Sequence, residues 1–66
     1  MRNLKIESAV LDFIEKNEED KVDTENIIRE FKKTEALLLY DALVSLRKNK
    51  KIERISVGNY FYYRKI

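Results

Sequence analysis

The sequence predicts a small, mainly helical α+β protein in which three helices are followed by a two-stranded β-hairpin, all within one domain covering residues 1–66. Apolar residues recur at helical spacing as far as residue 48. Two runs of β-branched and aromatic residues then flank the pair Gly58-Asn59, which is a two-residue hairpin signal. A core of this size supplies only a few kcal/mol of net stability, which favours a partner subunit.

The first helix is predicted over residues 4–16. Its apolar side chains recur at positions i, i+3, i+4, i+7 and i+8, which is the pattern of an amphipathic helix with one face on a core. These side chains are Ile6, Ala9, Val10, Phe13 and Ile14. Asn17 is predicted to end the helix, and the polar residues that follow it are predicted to form a loop.

The second helix is predicted over residues 24–32. Asp23 is a favourable N-cap, and Val22 and Ile27 are placed to form a hydrophobic staple across the first turn. The side chains expected to point towards the core are Ile27, Ile28 and Phe31.

The third helix is predicted over residues 35–48, after a tight turn at residues 32–34 in which Thr34 is the N-cap. Its core face is expected to carry Leu38, Leu39, Ala42, Leu43 and Leu46. The opposite face, which we expect to be exposed, carries Leu37, Tyr40, Asp41, Val44, Arg47 and Lys48. Two helices joined by such a short turn are typical of a helix-turn-helix.

The hairpin strands are predicted at residues 51–57 and 60–66. If Val57 opposes Tyr60, one face carries Glu53, Ile55, Val57, Tyr60, Tyr62 and Arg64, and the other carries Ile52, Arg54, Ser56, Phe61, Tyr63 and Lys65. Both faces are half apolar, so the sequence leaves open which of them covers the core. Core packing explains most aromatic residues of the second strand, and stacking on unpaired bases is the alternative.

Charge is distributed unevenly along the chain. Residues 1–46 contain 7 Lys or Arg and 11 Asp or Glu, whereas residues 47–66 contain 7 Lys or Arg and one acid, Glu53. A basic segment of this kind is typical of a surface that contacts nucleic-acid phosphates. Each Lys or Arg side chain placed near a phosphate releases a counterion that was condensed on the nucleic acid.

Several classes of function are disfavoured by the composition. The chain contains neither Cys nor His, which removes disulfides, zinc ligands and the commonest catalytic nucleophiles and bases. We therefore expect a protein that is not an enzyme and that needs no metal, no cofactor and no small-molecule ligand. No window approaches the length of apolar sequence that a membrane span requires, so we expect a cytoplasmic or nucleoid-associated protein.

Residues 43–52, LVSLRKNKKI, close the third helix and enter the first strand with a Leu-x-x-Leu pattern, a basic run and Ile52. With the order of elements around it, this segment resembles the winged helix-turn-helix DNA-binding superfamily, and in particular its small archaeal, viral or bacterial regulators. The resemblance covers almost the whole chain. It implies a third helix in the major groove, a hairpin wing against the backbone or minor groove, and a role in transcriptional regulation.

Two hypotheses about function stay open at this stage. In the first, the protein binds double-stranded DNA, as a homodimer, through Arg47, Lys48, Lys50, Lys51, Arg54 and Asn59, with Tyr40, Arg64 and Lys65 in support. In the second, the third helix is a protein interface formed by Leu37, Tyr40 and Val44, and DNA affinity is small or absent. The middle of the helix is apolar and acidic where a DNA reader usually carries donors, which is why the second hypothesis is retained.

Overall fold

A computed structural model describes residues 3–66 of the chain. Its elements are α1 (Leu4–Lys16), a 3₁₀ turn (Glu18–Asp20), α2 (Thr24–Glu30), α3 (Ala36–Lys48), β1 (Ile52–Val57) and β2 (Tyr60–Lys65). The predicted class is confirmed, since three helices precede a two-stranded antiparallel hairpin. No helix in the described part of the chain is long and apolar enough to cross a membrane.

Helix α1 has the predicted bounds, and both of its ends are capped by asparagine. The Asn3 side chain accepts a hydrogen bond from the Ile6 amide at 3.1 Å, and the Asn17 side chain donates to the Phe13 carbonyl at 2.9 Å. The predicted inward position of Ala9 is wrong, because Ala9 is exposed and Glu7 is buried instead. The buried stripe is centred on the side of the helix that packs on α3 and β2, which leaves Ala9 just beyond its edge.

Helix α2 begins as predicted. The Asp23 side chain accepts from the Asn26 amide at 2.8 Å, and the Asn26 side chain accepts from the Asp23 amide at 3.1 Å, which completes a capping box. Val22 and Ile27, the residues of the predicted staple, both lie in the buried core.

The connection between α2 and α3 is longer than predicted. Helix α2 ends at Glu30, because Phe31 leaves helical geometry and packs edge-on against Phe13 with ring centroids 5.8 Å apart. Thr34 is not the N-cap of α3, since its amide donates to the Phe31 carbonyl within the turn. Glu35 occupies the cap position without a side-chain capping bond, and α3 begins at Ala36.

A Schellman motif ends α3 and turns the chain into β1. The Lys50 amide donates to the Arg47 carbonyl at 3.0 Å, and the Lys51 amide donates to the Leu46 carbonyl at 2.8 Å. Lys50 takes the left-handed conformation that this motif requires, with a φ of 58°. Glycine is the residue usually found there, because a side chain makes this conformation costly.

The hairpin has the register that places Val57 opposite Tyr60. Gly58 has a φ of 62°, while Asn59 is not among the described residues with positive φ, as in a type II′ turn. Of the two faces left open by the sequence, the one carrying Ile52 and Tyr63 covers the core, where both side chains are buried.

The segment that precedes α2 lies along β2, a contact that the sequence did not predict. The Tyr63 amide donates to the Val22 carbonyl at 2.7 Å, and the Tyr63 hydroxyl shares a 3.0 Å hydrogen bond with the Thr24 hydroxyl. The Tyr60 hydroxyl donates to the Lys21 carbonyl at 3.0 Å. These bonds fix the hairpin against the helical part of the molecule.

The core is a single cluster contributed by all three helices, both strands and Val22, which lies two residues before α2. The predicted inward position of Leu38 is wrong, since this side chain is 36% exposed at the margin between α3 and α1. The other residues of the predicted core face of α3 are buried. The buried cluster comprises Val10, Ile14, Val22, Ile27, Leu39, Ala42, Leu43, Leu46, Ile52 and Tyr63.

Candidate nucleic-acid interface

The outward face of α3 carries an apolar stripe that ends in basic residues. Leu37, Tyr40 and Val44 are 68%, 47% and 59% exposed, and their spacing places them along one side of the helix. Arg47 and Lys48 continue this side at the carboxyl end of the helix, and both are exposed. Asp41, also exposed, is the acid of this face.

A group of exposed cations surrounds the point where α3 passes into β1. The last turn of α3, the connection and the first half of β1 follow one another directly along the chain, and α3 contacts β1. In the described part of the chain, none of these cations has a carboxylate within ion-pair distance. We call this set the basic corner: Arg47, Lys48, Lys50, Lys51 and Arg54.

Two other cations named by the sequence analysis are already engaged by acids. Arg64 contacts Glu53 at 2.5 Å across the hairpin, and Lys65 contacts Glu15 of α1 at 3.3 Å. The hydrogen bond from Arg64 to the Glu53 carboxylate, and the charge of that carboxylate, raise the pKa of Arg64 above its ordinary value. The structure therefore separates Arg64 and Lys65 from the unpaired cations of the basic corner.

The hairpin tip lies beside the exposed face of α3. Tyr40 of α3 and the three tip residues Asn59, Tyr60 and Phe61 line one shallow depression, together with the first residues of α2. We call it the tip depression. Arg54 lies next to it, with its guanidinium carbon 4.7 Å from the centroid of the Phe61 ring.

The aromatic residues of β2 have different environments. Tyr63 is buried, and Tyr62 is half-buried with the Lys21 ammonium 5.9 Å from its ring centroid. Tyr60 and Phe61 remain 43% and 40% exposed. Core packing thus accounts for Tyr63, while the two residues nearest the turn are left at the tip depression.

The chemistry of this surface suits phosphates better than base edges. Between residues 36 and 46, α3 carries no Lys, Arg, Asn or Gln, which are the side chains that most often donate to base edges. The basic corner, in contrast, offers guanidinium and ammonium groups that form no ion pair with any residue between 3 and 66. Among residues 3–66, no group of three or more acids is arranged to hold a metal ion.

Phe61, like Tyr60, was considered from the sequence only among the aromatic residues of the second strand, with core packing or base stacking as its role. The predicted register already puts Phe61 and Arg54 on the same side of the hairpin. The sequence did not predict that Phe61 and Tyr40 line the same depression, because this depends on how the hairpin docks against the helices.

No protein-family model, no curated protein and no solved structure matches this chain. The functional interpretation therefore depends on the geometry of its own residues.

Proposed function

We propose that the protein is a winged-helix domain that binds double-stranded DNA, mainly through phosphates, and regulates transcription. The observation that carries this proposal is the basic corner, a set of exposed cations close together in the sequence, none of which forms an ion pair with an acid among residues 3–66. The order of the elements supports the fold assignment, with the hairpin as the wing. The shared tip depression supports a single binding surface formed by α3 and the wing.

Salt dependence tests the proposal directly. If the five cations of the basic corner each engage a phosphate, the logarithm of the association constant should fall with the logarithm of salt concentration with a slope of about −4 to −5. Titration of a random-sequence duplex at several ionic strengths, followed by fluorescence anisotropy, measures this slope. Failure of the unmodified protein to bind at low ionic strength would exclude DNA binding.

A pair of charge reversals locates the contact. Lys50→Glu together with Lys51→Glu should abolish binding at physiological salt, because two phosphate contacts become two repulsions. Lys5→Glu together with Lys16→Glu changes the net charge equally on the exposed side of α1 and serves as the matched control. An equal loss of affinity in both variants would show that only net charge matters and would contradict a contact at the basic corner.

A second candidate function is supported by the exposed stripe of α3. Leu37, Tyr40 and Val44 form an apolar strip on a small protein, and a second copy of the chain would bury it across a two-fold axis. In that case Leu37→Asp or Val44→Asp should convert a dimer into a monomer in analytical ultracentrifugation. A homodimer is also compatible with DNA binding, since paired half-sites suit a two-fold protein.

A further inference from the structure

The tip depression is lined by aromatic residues from two distant parts of the chain. Tyr40 comes from α3, while Tyr60 and Phe61 come from the first residues of β2, and each of the three keeps between 40% and 47% of its surface exposed. The Tyr60 ring is held in place, because its hydroxyl donates to the Lys21 carbonyl. Tyr60 and Phe61 are consecutive strand residues and lie on opposite faces of the hairpin, so Tyr40 and Phe61 are the two exposed rings on the side of Arg54.

One cation of the basic corner lies next to these rings. The Arg54 guanidinium lies over the Phe61 ring, and Arg54 is the member of the basic corner closest to the tip along β1. Exposed rings beside unpaired cations are the two components of sites for unpaired nucleotides, in which bases stack and phosphates meet charge. One stacked base of this kind is worth about 5- to 150-fold in affinity.

The acids at the rim of the tip depression do not oppose such a ligand strongly. Asp23 is occupied by the capping bond from the Asn26 amide, and Glu25 forms an ion pair with Arg29 at 2.8 Å. Their charges are thus partly compensated within α2, whereas the cations of the basic corner are not compensated.

We propose that the tip depression binds an unpaired nucleobase, so that the protein prefers a duplex with a single-stranded extension over a blunt duplex. The base would stack on the rings of Tyr40 and Phe61, while the basic corner holds the phosphates of the adjoining duplex. This inference rests on the proposed nucleic-acid binding and adds the structure of the preferred nucleic acid.

The test compares four labelled DNAs with one duplex sequence: a blunt duplex, duplexes with a 5′ or a 3′ extension of four thymidines, and the preferred extension made abasic. The extended duplex should bind at least about fivefold more tightly than the blunt one. The abasic extension keeps its phosphates and loses its rings, so it should bind like the blunt duplex. Equal affinity for all four DNAs would overturn the inference.

Variants connect the preference to the tip depression. Tyr40→Ala and Phe61→Ala should each remove most of the preference for the extension, measured as the ratio of the affinities for the extended and the blunt duplex. Val57→Ala is the matched control, because Val57 is an exposed apolar residue of the same hairpin tip that does not line the depression. All three positions are exposed, and circular dichroism verifies that each variant is folded.

The outcomes separate this inference from the proposed function. Salt-dependent duplex binding without a preference for the extension would overturn the inference and leave the proposed function intact. Tight binding of the extension without duplex affinity would support the inference and overturn duplex recognition. A change from dimer to monomer in Tyr40→Ala, with no change in DNA preference, would assign the rings to a second copy of the chain and overturn the inference.

Discussion

Lys50 adopts a left-handed backbone conformation, which has a steric cost for any residue with a Cβ atom. Its φ of 58° completes the Schellman motif after α3, and a glycine would adopt this conformation without the steric cost of a Cβ atom. We expect Lys50→Gly to raise the free energy of unfolding by about 0.5–1 kcal/mol, after the entropic cost of glycine is deducted. Urea denaturation followed by circular dichroism measures the change.

Lys48→Gly is the control for the loss of charge. It removes a neighbouring cation from the last turn of α3, where glycine costs about 1 kcal/mol relative to a good helix former. The two variants should therefore shift stability in opposite directions while lowering DNA affinity similarly. A destabilised Lys50→Gly would contradict the assignment of backbone strain at this residue.

Local chemistry predicted many single residues correctly. Asn17 and Asp23 cap helices as expected, because each interaction lies within four residues of the cap. Ala9, Leu38 and Thr34 were placed wrongly for the opposite reason. Whether Ala9 and Leu38 are buried depends on how far neighbouring elements extend around each helix. Thr34 does not cap α3, because Phe31 turns towards Phe13.

Tyr63 makes more than one contact between the hairpin and the helical part of the molecule. Tyr63 is buried, donates its amide to Val22 and shares its hydroxyl with Thr24. Removing the hydroxyl in Tyr63→Phe should lower the free energy of unfolding by about 0.5–1.5 kcal/mol, because a partly buried hydrogen bond is lost. Thermal denaturation monitored by circular dichroism measures the loss.

Tyr62→Phe provides the comparison on the same strand. The Tyr62 hydroxyl makes no hydrogen bond to any residue between 3 and 66, so its removal should change stability by less than about 0.5 kcal/mol. A double-mutant cycle of Tyr63→Phe with Thr24→Val should show a coupling energy of at least about 0.5 kcal/mol. Strict additivity would indicate that the two hydroxyls do not interact in solution.

At the scale of elements, the order of helices and strands followed from periodicity, and the register followed from the Gly58-Asn59 turn. The sequence did not reveal which hairpin face is buried, since both faces are half apolar and only docking decides between them. The bonds from residues 21–24 to β2 join positions about forty residues apart. Local sequence patterns do not predict contacts between residues so far apart in the chain.

Across the whole molecule, the structure divides the cations into paired and unpaired groups. Lys51→Gln removes an unpaired cation and should make the salt slope of DNA binding shallower by about 0.9. Lys65→Gln removes a cation that is paired with Glu15, and the slope should stay nearly constant. Anisotropy titrations over a range of salt concentrations compare the two variants, and equal changes in slope would argue against the division.

The candidate site was predictable where it follows the chain and unpredictable where the fold assembles it. The basic corner is a run of neighbours in sequence, and the charge count alone indicated it. The tip depression joins Tyr40 to residues about twenty positions later, and the ion pairs of Arg64 and Lys65 join separate elements. The tip depression and these two ion pairs could be identified only from the folded structure.

The unpaired cations of the basic corner should also affect the rate at which the protein associates with an anionic partner. Residues 1–46 carry a net charge of −4 and residues 47–66 carry +6, so the electric field of the molecule is directional. Such a field turns a diffusing protein before contact, and it raises the association rate constant with an anion by about 10- to 1,000-fold at low salt. For a polyanionic partner, we therefore expect the basic corner to arrive first and the aromatic tip to engage afterwards.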